Sequence, residues 1–117
     1  MPGRRILLVE DDPDVARILE HVLFDEGYDV DVAKTIKDAQ SSLDGHHPYA
    51  LAISDLRLPD GDGLSIAERA AELGVKTAIM SGYLHQLTAA AADRHEVMIK
   101  PVRPAELIAV VRRLIGS

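Results

Sequence analysis

The chain has 117 residues, of which 47% are hydrophobic, which suits one compact domain with a single core. Its formal net charge of −6 argues against a nucleic-acid surface, which needs clustered basic residues, and the absence of cysteine excludes disulfides, thiolate metal sites and thiol catalysis. The apolar runs are far shorter than a membrane span and the N-terminus lacks a signal-peptide pattern, so we expect a soluble cytoplasmic protein.

Strand-like and helix-like patterns alternate along the first half of the chain. The apolar run at residues 6–9 predicts a strand, and Pro13 then suits the first turn of a helix. A second strand at residues 28–33 alternates valine with aspartate, which is typical of an edge or half-buried strand. Thr35 is the predicted N-cap of a second helix that ends near Leu43.

The alternation continues through the second half. Residues 49–54 are nearly all apolar, which predicts a central strand covered by helices on both faces. Turn residues occupy positions 58–63. Five strands alternating with five helices predict an α/β fold with a doubly wound parallel sheet. The later elements are a helix at about 64–73, a strand at 75–80, a short alanine-rich helix at 84–93, a strand at 96–99 and a helix from 104.

Four of the five predicted strands end in residues that suit phosphoryl chemistry. The carboxyl ends of parallel strands share one edge of the sheet, where open α/β sheets bind ligands. Several carboxylates at one edge repel one another, and Mg²⁺ suits such oxygen ligands because it keeps waters that a phosphoryl oxygen can replace. The residues are Glu10, Asp11 and Asp12 after the first strand, Asp55 after the third, Ser81 after the fourth and Lys100 after the fifth.

These side chains together could accept a phosphoryl group. Asp55 would be the nucleophile, because a carboxylate can take a phosphoryl group through a loose transition state that positioning and charge neutralisation assist. Lys100 could pair with one phosphoryl oxygen, and the Ser81 hydroxyl could donate a hydrogen bond to another. Each residue alone has a structural explanation, such as acidic residues at a helix N-terminus, so the prediction depends on their joint arrangement.

The histidines show no metal-binding pattern. His46 and His47 are adjacent in a loop without further ligands, and His21, His85 and His95 are isolated. We therefore predict that all five histidines are solvated side chains rather than metal ligands.

From Arg4 to Ile115 the chain resembles the receiver domain of two-component response regulators. The resemblance implies a flavodoxin-like sheet with strand order 2-1-3-4-5, which the pattern alone does not give. It also implies a single receiver domain over residues 1–117 with no output domain, and a phosphoacceptor that assists its own phosphorylation and dephosphorylation rather than an enzyme. The matching residues are Glu10-Asp11, Asp55, Ser81, Lys100-Pro101, Leu58-Pro59 and Asp62-Gly63.

The resemblance further implies a role for each of these residues. Asp55 would accept the phosphoryl group from the phosphohistidine of a histidine kinase or phosphotransfer protein. The new charge would draw the switch hydroxyl of Ser81 and the active-site lysine, Lys100, toward the site. A downstream protein would then respond through the face of the fourth helix, fifth strand and fifth helix, without direct contact to nucleic acid or membrane. The Mg²⁺ ligands would be Asp11, Asp55, the backbone carbonyl of Arg57 and, through water, Glu10.

Two features depart from the family pattern. Val97 stands where the family often has an aromatic switch residue, for which Tyr83 could supply a substitute ring. Only 18 residues separate Ser81 from Lys100, fewer than is usual. We therefore expect a short fourth helix and an atypical output surface, with the phosphorylation chemistry intact.

Three other functions remain open at this stage. A haloacid-dehalogenase-like phosphatase also uses an Asp nucleophile, Mg²⁺ and a lysine, but its second catalytic Asp would stand at position 57, which is Arg57 here. A flavodoxin-like nucleotide or flavin module would need a phosphate-binding loop where Glu10-Asp11-Asp12 stand. The third function is a non-phosphorylated receiver-like interaction scaffold, which a phosphorylation assay would distinguish.

Overall fold

A computed structural model describes residues 4–45, 48–82 and 89–116. The predicted strands and helices occur along these ranges in the predicted order, with two additional two-residue strands before the third helix. The strands are β1 (Arg5–Val9), β2 (Asp29–Ala33), β3 (Leu51–Asp55), β4 (Arg57–Leu58), β5 (Gly61–Asp62), β6 (Lys76–Ser81) and β7 (Glu96–Ile99). The helices are α1 (Pro13–Asp25), α2 (Ile36–Leu43), α3 (Leu64–Glu72), α4 (Ala89–Arg94) and α5 (Pro104–Ile115).

Five of the strands form one parallel sheet in the order β2-β1-β3-β6-β7. Numbered among themselves these strands follow the order 2-1-3-4-5, so the predicted α/β fold and strand order are confirmed. β3 is central and all of its residues are buried, as its apolar sequence predicts. β2 lies at the edge, where its valines are half-buried. Because β1 and β3 are neighbours, their carboxyl ends bring two groups of acidic residues together.

The sheet divides the core into two layers, since successive side chains of a strand point to opposite faces. Residues of β1 and β3 alternate between the layers. Except for Arg5, every residue of these two strands is exposed by no more than a few per cent. One layer, under α1 and α5, contains Ile6, Leu8, Ile53, Met80, Met98 and Leu107. The other, under α2 and α3, contains Leu7, Val9, Ala52, Leu58 and Ile66.

The predicted turn at residues 58–63 is part of a small hairpin in which β4 and β5 pair antiparallel. Its end returns directly against β3: a Cβ atom at Gly63 would lie 1.8 Å from the backbone oxygen of Asp55, so only glycine fits there. The Gly63 N–H donates to the Leu56 carbonyl at 2.7 Å. The hairpin is therefore held close to the end of the central strand.

The helices agree with their predicted positions. Thr35 is the N-cap of α2, and its hydroxyl oxygen accepts a hydrogen bond from the Asp38 N–H at 3.0 Å, as predicted. The alanine-rich helix is described from Ala89 to Arg94, and the first part of its predicted range lies outside the described residues. Within the described ranges, every helix is too short or too polar to cross a membrane.

Substitution of the central strand tests this account of the core. Ile53 is fully buried, so Ile53→Ala should lower the free energy of unfolding by about 3 kcal/mol, because it removes apolar contacts and leaves a cavity. Ile18 on α1 is 57% exposed, and Ile18→Ala should change stability by less than about 1 kcal/mol. Urea unfolding of both variants measures the difference. Equal effects at the two isoleucines would contradict the assignment of β3 to the core.

Candidate functional site

The structure brings the predicted site residues to one edge of the sheet. Glu10 and Asp11 directly follow β1, and Asp55 is the last residue of β3. Ser81 ends β6, and its carbonyl accepts a hydrogen bond from the Lys100 N–H at 2.8 Å, so that Lys100 extends the pairing of β6 with β7. The carboxyl ends of four adjacent strands thus supply this cluster.

A lysine ammonium joins two buried carboxylates at the centre of the site. Lys100 Nζ lies 2.7 Å from Asp55 Oδ2 and 3.1 Å from Glu10 Oε1. Asp55 is 5% exposed and Glu10 is fully buried. Burial lowers the pKa of Lys100, but the hydrogen bonds and negative charges of Asp55 and Glu10 outweigh that effect and raise it. The ammonium therefore stays charged at neutral pH.

The carboxylate of Glu10 accepts fewer hydrogen bonds than that of Asp55. Its Oε2 accepts a hydrogen bond from the Asp12 N–H at 3.1 Å. Its Oε1 lies within ion-pair distance of Lys100 but makes no well-directed hydrogen bond with any described residue. Burial, reinforced by the negative charge of Asp55, raises the pKa of Glu10 to about 7, although the Asp12 N–H and Lys100 act in the opposite direction. The site is short of positive charge.

The acidic residues fit a hard divalent cation. One carboxylate oxygen each from Glu10, Asp11 and Asp55 can lie within 4.8 Å of the others. Asp11 is exposed, which leaves the cluster open to solvent on one side. An all-oxygen donor set with room for water is what Mg²⁺ prefers. The buried Oε1 of Glu10 is a suitable acceptor for a water molecule bound to such an ion.

Asp12 does not join this cluster. Its Oδ1 accepts hydrogen bonds from the N–H groups of Asp14 at 2.9 Å and Val15 at 3.3 Å, which makes it the N-cap of α1. The sequence places Asp12 in one acidic run with Glu10 and Asp11. The signal for its actual role was Pro13, because proline commonly follows the N-cap.

Two other predicted site residues lie beside Asp55. The Arg57 N–H is 3.4 Å from Asp55 Oδ1, and Arg57 opens the hairpin as the first residue of β4. Ser81 is buried at the end of β6, one position beyond Met80, the partner of Asp55 in the sheet. Their positions suit the predicted roles of the Arg57 carbonyl and the Ser81 hydroxyl, which stay predictions.

The aromatic position of the family is aliphatic in this structure too. Val97 lies half-buried in β7 and pairs with Ile79 of β6. Tyr83, the candidate substitute ring, lies outside the described residues.

The prediction of a solvated His95 is wrong. Its side chain is fully buried, with Nδ1 2.5 Å from Thr77 Oγ1 and Nε2 3.1 Å from Glu68 Oε2. Thr77 of β6 and Glu68 of α3 satisfy both ring nitrogens. The two residues are 18 and 27 positions from His95, so local sequence patterns do not reveal these contacts. His21 is exposed, as predicted. The others, His46, His47 and His85, lie outside the described residues.

Comparison with known proteins gives one consistent family. The model of the response regulator receiver domain matches residues 6–112. An uncharacterized 14.6 kDa protein of Leptolyngbya boryana is 36% identical over 115 residues, covering 92% of this chain and 87% of the relative. The transcriptional regulatory protein TrcR of Mycobacterium tuberculosis is 33% identical, covering 95% of this chain and 45% of TrcR. The chain spans about half the length, or less, of TrcR and of four other curated regulators that it matches.

Solved structures agree with the sequence comparison. The response regulator protein TrrA of Thermotoga maritima was crystallised in complex with Mg²⁺-BeF. It aligns with a TM-score of 0.83 and 28% sequence identity, over 96% of this chain and 99% of TrrA. The fold therefore matches over nearly the full length of both chains.

The raised pKa of Glu10 predicts a pH-dependent stability for the metal-free protein. Because the pKa is about 7 in the folded state and 4.5 ordinarily, the folded protein binds more protons between these values. The stabilisation from this proton is complete below the lower pKa and is lost as the pH rises through the higher one. Glu10→Gln removes the titration, so it should stabilise the protein relative to wild type more at about pH 8 than at about pH 5.

Urea unfolding in the presence of a chelator measures this difference at the two pH values. Glu20→Gln, a substitution of a glutamate on the exposed part of α1, is the matched control and should show no such trend. A stability difference between Glu10→Gln and wild type that does not change with pH would contradict the raised pKa.

Proposed function

Because the chain belongs to the response regulator receiver domain family, we propose that Asp55 is its phosphoacceptor. The observation that carries the proposal is the 2.7 Å contact between Lys100 Nζ and Asp55 Oδ2 within the acidic cluster. Asp55 stands at the end of the central strand, at the edge where open α/β sheets bind their ligands. No other described carboxylate combines this contact with a place beside Glu10 and Asp11.

The donor would be the phosphohistidine of a histidine kinase or phosphotransfer protein. A carboxylate oxygen of Asp55 attacks phosphorus, the bond between phosphorus and the donor nitrogen breaks, and its electron pair returns to the imidazole. Lys100 offsets negative charge on Asp55 before transfer and can pair with a phosphoryl oxygen during it. Positioning and charge neutralisation are the main assistance that such a loose transition state needs. The protein would act on its own phosphoryl group and on no separate substrate.

A Mg²⁺ ion would be held by the carboxylates of Asp11 and Asp55 and by the Arg57 carbonyl, with Glu10 bound through water. When bound, the ion supplies positive charge that offsets the carboxylates and the phosphoryl oxygens. The buried position of Glu10 and the hydrogen bond from the Asp12 N–H hold its carboxylate in place for the indirect role. Asp11 is exposed and can turn toward the ion. A relative crystallised with Mg²⁺-BeF supports the choice of metal.

Phosphorylation would then change the contacts of the protein with a downstream partner. A phosphoryl group adds nearly two negative charges. The Ser81 hydroxyl at the end of β6 would donate a hydrogen bond to the phosphoryl group. Lys100, after β7, would move toward the negative charge of that group. β6 and β7 are hydrogen-bonded neighbours, so both shifts act at the same end of the sheet. α4 contacts β7, and Leu107 of α5 shares a core cluster with Met80 of β6 and Met98 of β7. The face of α4, β7 and α5 would present the change to the partner.

Intact-mass measurement after incubation with Mg²⁺ and acetyl phosphate tests the proposal. The wild type should gain one phosphoryl group, about 80 Da, and Asp55→Asn should gain none because the acceptor oxygen is lost. Asp12→Asn is the matched control: it removes a nearby acid while keeping an N-cap residue, and it should still be phosphorylated.

A Mg²⁺-dependent adduct on the wild type that persists in Asp55→Asn would contradict the assignment of the acceptor. If the wild type gives no adduct with acetyl phosphate or with a phosphohistidine donor, the protein is instead a non-phosphorylated interaction scaffold.

A further inference from the structure

Two residues from different parts of the chain cap the N-terminus of α2. Thr35, just before the helix, accepts the Asp38 N–H at 3.0 Å. Asp60, at the tip of the β4–β5 hairpin, accepts the N–H groups of Ile36 at 2.8 Å with Oδ1 and of Lys37 at 3.1 Å with Oδ2. The first turn of the helix thus depends on a carboxylate more than twenty residues away in sequence.

The chemistry of this contact favours a charged aspartate. A carboxylate near the N-terminus of a helix interacts favourably with the helix dipole, and here each oxygen has its own N–H donor. The hydrogen bond from Ile36 is the main reason that the pKa of Asp60 is lowered, and the bond from Lys37 adds to it. The carboxylate is therefore ionised throughout the neutral range. We call the pair of hydrogen bonds from Ile36 and Lys37 to Asp60 the hairpin clamp.

The hairpin needs external support to keep its position. Each strand has two residues, and so short a pair has little stability of its own. Leu58 anchors one arm by burial among α2 and α3 residues, and Gly63 anchors the end against Asp55. The tip, by contrast, is exposed, and the hairpin clamp at Asp60 joins it to α2. Arg57 is itself part of the hairpin, because it pairs with Asp62 of the other arm, two residues from Asp60.

We propose that Asp60 is a positioning residue for the metal site: the hairpin clamp holds the Arg57 carbonyl where Mg²⁺ needs it. This inference rests on the proposed function, in which that carbonyl is a direct ligand. Asp60 itself touches neither metal nor phosphoryl group and acts through the hairpin. Because coupling between two sites is reciprocal, bound Mg²⁺ also strengthens the contact of the hairpin with α2.

Calorimetric titration of Mg²⁺ into the metal-free protein measures the effect on the ion directly. Asp60→Ala should raise the Kd for Mg²⁺ by about five-fold, at the lower end of typical coupling between sites. Asp60→Asn keeps one oxygen acceptor and should give a smaller increase. The titrations are run in about 150 mM KCl, so that long-range charge effects are screened.

Two control variants separate the clamp from simpler causes. Thr35→Ala removes the other cap of the same helix but leaves Asp60 and its two N–H donors in place. Asp38→Asn removes a negative charge from the same helical turn without removing the clamp. Both variants should keep a Kd for Mg²⁺ close to that of the wild type.

Amide hydrogen exchange by NMR gives a second measurement. If Asp60 only stabilised α2, Mg²⁺ would not change the exchange rates at Ile36 and Lys37. In the wild type, saturating Mg²⁺ should slow exchange at Ile36 and Lys37 by about the factor that Asp60→Ala costs in Mg²⁺ affinity. In Asp60→Ala, exchange at these two amides should no longer respond to Mg²⁺.

The outcomes distinguish the inference from its premise. If the wild type binds Mg²⁺ and Asp60→Ala binds it equally well, the hairpin clamp has no role at the metal site. A Kd raised as much in Thr35→Ala or Asp38→Asn also overturns the inference, because helix fraying or lost charge then explains the effect. Failure of the wild type to bind Mg²⁺ would overturn the proposed function and the inference with it.

Discussion

The shared ion pair of Lys100 with Asp55 and Glu10 is the constraint around which the site is built. One ammonium balances two buried carboxylates, with a third acid, Asp11, beside them. Two like charges about 4 Å apart repel by roughly 4 kcal/mol at an effective dielectric constant of 20. The cluster is therefore tolerated only because the fold holds it, and it favours any ligand that brings positive charge. A divalent cation would supply that charge, and a phosphoryl group on Asp55 would then lie among the same side chains.

The topology of the sheet is what forces these charges together. β1 and β3 are hydrogen-bonded neighbours, so the residues that follow them cannot move apart without loss of the core beneath. The core side chains of both strands are almost completely buried on both faces of the sheet. The small hairpin after β3 extends this rigidity, because Gly63 packs against the backbone of Asp55. Stability of the core thus maintains a site that is unfavourable in itself.

Local sequence signals were enough to predict the elements of the main sheet, its helices and most of the residues that lie together at the candidate site. Apolar runs, the cap at Thr35 and the turn residues each act within a few positions, and the acids, serine and lysine stand directly at strand ends. The strand order was predicted only from the resemblance to receiver domains, because the hydrophobic pattern does not encode it. Features that depend on distant partners were missed: the burial of His95 against Thr77, and the cap that Asp60 supplies to α2. Their partners are 18 and 24 residues away, beyond the reach of any local pattern.

A crystal structure grown with Mn²⁺, which replaces Mg²⁺ and can be located by its anomalous signal, tests the central claim most directly. We expect one ion at the carboxyl ends of β1 and β3, about 2.1 Å from oxygens of Asp11, Asp55 and the Arg57 carbonyl. Glu10 should contact the ion through water. An ion bound elsewhere, or a site in which Asp55 stays paired with Lys100 and binds no metal, would contradict the claim that the acidic cluster is built to receive a divalent cation.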